Sequence, residues 1–472
     1  MLSNSKNYSR RDFIKNIATG SALACVVSST SLLGGCSSAI DTKQSYLHGA
    51  IEPKNISTVY LWTDIILQAV RNKSVTPPFA THAFAMGHLA GFLAVNGIQN
   101  EYNTPHGLDS APQNADPDIA YGVAVSYAIS DAFGALFTFD RKRFLDQFPN
   151  SEAKSEGIKW GKYVARHVIK TRTNDGSEPN KSNFYLDRYP RREGALNWSP
   201  TGPFYQAELG PAFVTFERGL YPGWGAIKPW VMKNTKDFRA KEFIDPRSDE
   251  FTRQYLEVKE LGAYNSATRT EDQKQIAFFW EDGPRGVTPP GHWQLIAMSL
   301  TQNMNLSLLE QARIFALLSL GQADSAITTW DSKYAHDVVR PETFIRFRSG
   351  KVDNETLANA GDPNWKSLIP TPNFPTYTSG HSCFSGVSAR IIARCIGTDK
   401  VSFSSKSPDT VNWLSHVSDV TRSWTSLWQA AEENGASRIY GGVHWDEDNV
   451  EGLRIGKELG DYVYKNAFKK KA

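Results

Sequence analysis

Cysteine is scarce in this chain: four residues in 472, at positions 25, 36, 383 and 395. If one helix carries Cys383 and Cys395, roughly 18 Å separates them, far beyond the reach of a disulfide. A disulfide framework is thereby excluded, and both read as core thiols. Strand-like alternation is also scarce, which argues against a sandwich or barrel. Internal repeats and low-complexity tracts are absent. So is any large excess of charge: 52 basic side chains stand against 49 acidic ones. A near-neutral surface makes nucleic acid a poor partner. After the first 35 residues no series of long apolar runs follows, so the chain does not read as one that crosses a membrane repeatedly.

What is present begins with a leader. Ser9-Arg10-Arg11-Asp12-Phe13-Ile14-Lys15 has the twin-arginine export pattern. An uncharged stretch follows, ending in Leu33-Gly34-Gly35-Cys36, which resembles the lipobox of bacterial lipoproteins. A membrane-spanning helix is the plainer reading, but the Ser, Thr and Gly content makes the stretch weakly apolar and short for a span. Cleavage before Cys36 removes four basic side chains and Asp12, leaving 48 of each sign. The expectation is an exported protein held at the cell envelope by a lipid on Cys36 alone, on the periplasmic or outer-membrane side. Residues 36–56 read as a polar tether.

From there the pattern is helical nearly throughout. Val59, Trp62, Ile65, Ile66 and Ala69 recur at three-to-four spacing, predicting a helix over 57–71. Similar periodicity covers 81–96, 117–138 and 151–171, and then 249–263 and 269–279. Ser307 with Glu310 is a capping-box pattern opening a helix through Leu320. Segments 323–331, 381–396, 411–433 and 446–466 complete the set. The polar stretch 172–230 is too long for a simple connector, so it is expected to cover something. The fold class is all-α, as two helical bundles: an N-terminal one over 57–240 and a C-terminal one over 241–468 that carries the chemistry.

Three segments of the last third hold the chemistry-bearing residues. In Lys333-Tyr-Ala-His-Asp-Val-Val-Arg340-Pro341, Pro341 places Arg340 at a turn. Alone, the two cations read as solvated charges. In Ser379-Gly380-His381, a hydroxyl and a glycine precede the apolar face Phe384, Val387, Ile391 and Cys395. The N-terminus of that helix would offer unpaired N–H groups to an oxyanion, and Gly380 would let it approach the backbone. Alone, this reads as a plain serine cap. In Ser437-Arg438-Ile-Tyr-Gly-Gly-Val-His444-Trp-Asp-Glu-Asp448, His444 and Asp448 are four apart. On a helix they would share a face, the carboxylate fixing the imidazole tautomer. Together the three segments supply three cations, two neutral donors and two histidines, the set needed to surround one tetrahedral oxyanion.

The ordered pattern K-x6-RP, SGH, SR-x3-GxH-x3-D resembles the signature of the vanadium haloperoxidase and type 2 phosphatidic acid phosphatase superfamily. The departure is Thr378, where many members carry proline. The length and the stretches "TPPGHWQLIA" (288–297) and "GLYPGWGAIKPW" (219–230) resemble the bacterial vanadium haloperoxidases. That resemblance implies vanadate as cofactor, ligated by His444, which Asp448 holds. It implies that Lys333, Arg340, Ser379, Gly380 and Arg438 grip the oxygens, with Lys333 in contact with bound peroxide. His381 would then serve the proton, while Trp330 and Phe374 line the halide side. Core packing is the plainer account of those two aromatics. Hydrogen peroxide and a halide, iodide or bromide, would be the substrates; the organic acceptor and the oligomeric state are not specified. Two other readings use the same residues. One is an acid phosphatase forming a phosphohistidine at His444, and the other is a non-catalytic anion-binding surface lipoprotein.

Overall fold

The computed structural model describes residues 56–104, 107–133, 137–177, 192–200, 219–283, 286–408 and 420–471. The expected leader, Cys36 and all of the tether before residue 56 lie outside the described residues. Helices dominate. In chain order they are α1 (Thr58–Asn72), α2 (Pro77–Gln99), α3 (Pro117–Phe133), α4 (Thr138–Leu145), α5 (Glu152–Arg172), α6 (Asp249–Leu261) and α7 (Glu271–Phe279). Then come α8 (Thr288–Thr301), α9 (Leu308–His336), α10 (Pro341–Phe347), α11 (Glu355–Ala358), α12 (Gly380–Ile396), α13 (Leu427–Tyr440) and α14 (Asp446–Asn466). Among the described residues the one sheet is a hairpin, β1 (Phe403–Lys406) antiparallel to β2 (Thr421–Trp424), with Phe403 opposite Trp424. The all-α class therefore holds, with that small sheet as an addition.

Local chemistry sets the helix ends. Ser57, Ser151, Ser248, Thr270 and Ser307 each cap a helix with their side-chain oxygen. At α9 the Ser307–Glu310 box is reciprocal. That helix runs unbroken to His336, so the gap expected at 321–322 is not there. Gly321 does not interrupt it; its missing side chain lets α9 approach Ile391, whose Cδ1 would lie 2.3 Å from an added Cβ. α9 ends where Asp337 turns left-handed at φ 56°.

The helix expected over 411–433 is corrected. Residues 409–419 lie outside the described residues; 421–424 are strand, and α13 begins only after Ser426, which caps Gln429 N at 3.0 Å. Thr421 and Trp424 suit a pleated surface better than a helix, and pairing with β1 satisfies their backbone. Four helices were not foreseen, α4, α8, α10 and α11; of these α8 and α10 are each opened by proline at the first turn.

One apolar core joins Trp62, Phe84, Phe92 and Tyr121 from the first helices to Phe315, Leu317, Val387 and Val463 from the last. Helix α2 is long and apolar enough to cross a membrane, yet 94% of its apolar window is buried in that core. A second cluster, Phe251, Tyr255, Phe344, Tyr377, Trp445 and Ile455, sits beneath the functional residues. Each such side chain contributes about 1.5–3 kcal/mol by leaving water. That margin offsets the cost of the charges buried above it.

Candidate active site

Four chain segments meet over this second cluster. The C-terminal turn of α9 delivers Lys333, which is fully buried. Four residues after His336, the last of α9, Arg340 occupies the position before α10, also fully buried, with Pro341 as the first residue of that helix. Ser379 caps α12, its hydroxyl accepting from Ser382 N at 3.3 Å, and Gly380 and His381 form the first turn. Arg438 lies in the last turn of α13.

His444 is not helical, which corrects the expectation that it shares a helix face with Asp448. It lies in the segment between α13 and α14, after Gly442, which has φ 77° and whose added Cβ would lie 2.4 Å from Gly262 O. Only glycine fits there. Asp448, the third residue of α14, closes the gap by folding back towards the helix start. Its Oδ2 accepts from Trp445 N at 3.0 Å and from His444 Nδ1 at 2.7 Å. One carboxylate thus caps the helix and fixes the imidazole, leaving the lone pair on Nε2. Arg340 Nη1 donates to that nitrogen at 3.0 Å and to Val443 O at 2.8 Å.

Asp448 holds His444, and the charges of Glu281 and Asp282 act on Arg438; against these stand the buried cations Lys333, Arg340 and Arg438. Burial, then the neighbouring Arg340 charge, lowers the pKa of Lys333, while the Asp448 charge and three carbonyl acceptors around Nζ favour its ammonium form. Burial pushes Arg340 down to about 9 and Arg438 down to about 10. Burial and the surrounding cations likewise hold both histidines well below their usual range, so each is a neutral imidazole. Arg340 Nη2 and Arg438 Nε and Nη1, all buried, find no hydrogen-bond partner among the described residues. A buried, unpaired guanidinium N–H is costly. A multiply charged oxyanion supplies the missing acceptors, so these residues fit vanadate or phosphate.

Lys333 stands differently from the expectation of contact with bound peroxide. Its ammonium donates to the carbonyls of Pro375, Thr376 and Thr378 at 3.0, 2.8 and 2.6 Å, which takes all three of its N–H groups. It gives the cage charge and holds the loop before Ser379. Phe374 lies beneath both cations, with Lys333 Nζ 5.0 Å and Arg340 Cζ 4.9 Å from its ring centroid. Trp330 packs against Phe374 at 5.1 Å. His381 is half-buried, its Nε2 3.3 Å from Glu281 O. From 219–230, part of the long polar stretch, Leu220 O accepts from Trp330 Nε1 and Tyr334 Oη. That segment covers the aromatic side.

Thr376 escaped the sequence reading. Its hydroxyl donates to Asp448 Oδ2 and lies 3.1 Å from His444 Nδ1. Nothing in the sequence marks a threonine as the partner of a residue 72 positions away.

Residues 313–470 match the family described as the VCPO second helical-bundle domain. Over 250 residues the chain is 25% identical to the vanadium chloroperoxidase of Curvularia inaequalis, an alignment that spans 42% of this chain and 40% of that relative's length. The crystal structure of the first bacterial vanadium-dependent iodoperoxidase superposes with a TM-score of 0.72 at 24% identity, covering 89% of this chain and 99% of that one. A holo-type bacterial vanadium-dependent chloroperoxidase gives 0.63 at 17% identity, covering 90% and 94%. The chain therefore carries the VCPO second helical-bundle domain over 313–470 and has, across nine-tenths of its length, the fold of the bacterial vanadium haloperoxidases.

Proposed function

We propose that the protein is a vanadium-dependent haloperoxidase, oxidising iodide or bromide with hydrogen peroxide to the hypohalous acid. The observation that carries this reading is a group of three buried cations, with three guanidinium nitrogens that lack acceptors among the described residues, around a neutral histidine held by a carboxylate. His444 Nε2 would ligate the metal once Arg340 Nη1 gives way. Arg340, Arg438, Ser379 Oγ and the Gly380 N–H would hold the oxygens, while Lys333 adds charge from behind its carbonyl shell. When bound, vanadate supplies the Lewis acidity that activates peroxide without a change of oxidation state. With Nε2–H on Glu281 O, His381 has Nδ1 left as the acceptor for the peroxide proton. Trp330 and Phe374 present apolar faces beside the cations, where a weakly hydrated halide loses little by entering. Iodide is the easiest to oxidise.

The purified protein, assayed with iodide or bromide plus peroxide before and after vanadate loading, should oxidise halide only when loaded. A phosphatase substrate is assayed alongside. Hydrolysis without vanadate, inhibited by vanadate, would replace this reading with an acid phosphatase; neither reaction would leave an anion-binding protein. Export and lipidation at Cys36 form a separate proposal that rests on the leader pattern. Cys36→Ser should release the protein from the membrane fraction.

A further inference from the structure

Thr376 is fully buried and pinned at three points. Its N–H donates to Val338 O at 2.9 Å, its carbonyl accepts from Lys333, and its hydroxyl donates to Asp448 Oδ2. Asp448 is coordinated unevenly. Thr376 Oγ1, His444 Nδ1 and Trp445 N all converge on Oδ2, whereas the buried Oδ1 has no hydrogen-bond partner among the described residues. A carboxylate that serves only as a helix cap needs the Trp445 N–H alone, and nothing in that role requires a hydroxyl at 376. What the hydroxyl adds is a fixed rotation of the carboxyl group, keeping one oxygen on both the imidazole and the helix start. The β-branched side chain helps, because its first torsion is stiff.

We infer that Thr376 is a positioning residue for His444. Acting through Asp448, it locks the Nδ1–H tautomer and the ring direction, so that the Nε2 lone pair faces the anion site. The inference rests on the anion-site reading above. Thr376→Val keeps the shape and removes only the hydroxyl; Thr376→Ser keeps the hydroxyl.

The first measurement uses anion-free protein, by imidazole nitrogen resonances. The wild type should show one Nδ1–H tautomer for His444, and Thr376→Val a mixture of both. The second is vanadate affinity by equilibrium dialysis. Partners one step removed from a metal ligand typically contribute 10–100-fold to affinity. Thr376→Val should lose about that much, and Thr376→Ser should recover most of it. In an Asp448→Ala background, Thr376→Val should change affinity less than about twofold, because the residue through which it acts is gone. Thermal unfolding of each variant identifies any general destabilisation. An unchanged tautomer in Thr376→Val would overturn the assignment, as would a full affinity loss persisting without Asp448. If the wild type fails to bind vanadate, the haloperoxidase reading falls, while the tautomer measurement still decides the role of Thr376.

Discussion

Gly380 begins α12, where an added Cβ would meet Phe384, Trp330 and Thr329 at 3.6, 3.8 and 3.9 Å, all ordinary contact distances. The fold therefore does not demand glycine there; close approach of an oxyanion to the backbone does. Gly380→Ala should melt at the same temperature or higher, since alanine in a helix is favoured over glycine by about 1 kcal/mol. Its affinity for vanadate or phosphate should nevertheless fall at least about tenfold. Unimpaired binding in a stable Gly380→Ala would remove Gly380 from the site. At this scale, charge and residue type were readable: Lys333, Arg340, Arg438, Ser379 and both histidines stood out by kind and order. Direction was not. That Lys333 spends its donors on three carbonyls depends on how the loop 375–378 folds over it, and no local pattern encodes that.

Helix ends bring these residues together. α12 and α14 start side by side, tied by Ser379 N donating to Asp448 O at 2.9 Å and by Thr378 Oγ1 donating to the same carbonyl at 2.7 Å. Both positive helix ends thus face one region. Sequence marks the start of α12 through Ser379, but not that of α10, whose first residue, Pro341, reads in the sequence only as a turn. It misplaced the His444–Asp448 pair, because four-residue spacing suggests a shared helix face while Gly442 takes the chain off the helix. Asp448→Asn tests that element. Its amide oxygen can still cap Trp445 N, so unfolding should shift by no more than about 1–2 kcal/mol. The same oxygen cannot hold the imidazole with a full negative charge, so vanadate affinity should drop about 10–100-fold. A dialysis measurement showing wild-type affinity would separate Asp448 from the site.

Across the whole molecule, the amphipathic spacing of α1, α5 and α6 announced an apolar interior, but not that one core would join the first helices to the last. Helices α2 and α9 are buried on nearly every side, so periodicity carries little information about their neighbours. His88 lies in that shared interior, fully buried, with Nδ1 3.0 Å from Tyr121 Oη and its ring beside Phe315 at 5.5 Å. Burial pushes its pKa down to about 3. In the unfolded chain the imidazole titrates near 6.5. As pH falls through 6.5 the unfolded state takes up a proton that the folded state refuses, so stability is lost, progressively, down to about pH 3. Between pH 6.5 and 5 this one group costs about 2 kcal/mol, a sizeable part of a typical folding free energy. His381 and His444 add to the same slope in the anion-free protein, whereas paired carboxylates such as Asp175 contribute only at lower pH. His88→Gln keeps a partner for Tyr121 and does not titrate. Denaturant unfolding at pH 6.5, 6 and 5 should show its pH slope reduced relative to the wild type by about half a proton at pH 6.5, rising to about one proton, roughly 1.4 kcal/mol per unit, near pH 5. Parallel slopes would mean that His88 is already charged, or hydrated, inside the folded core.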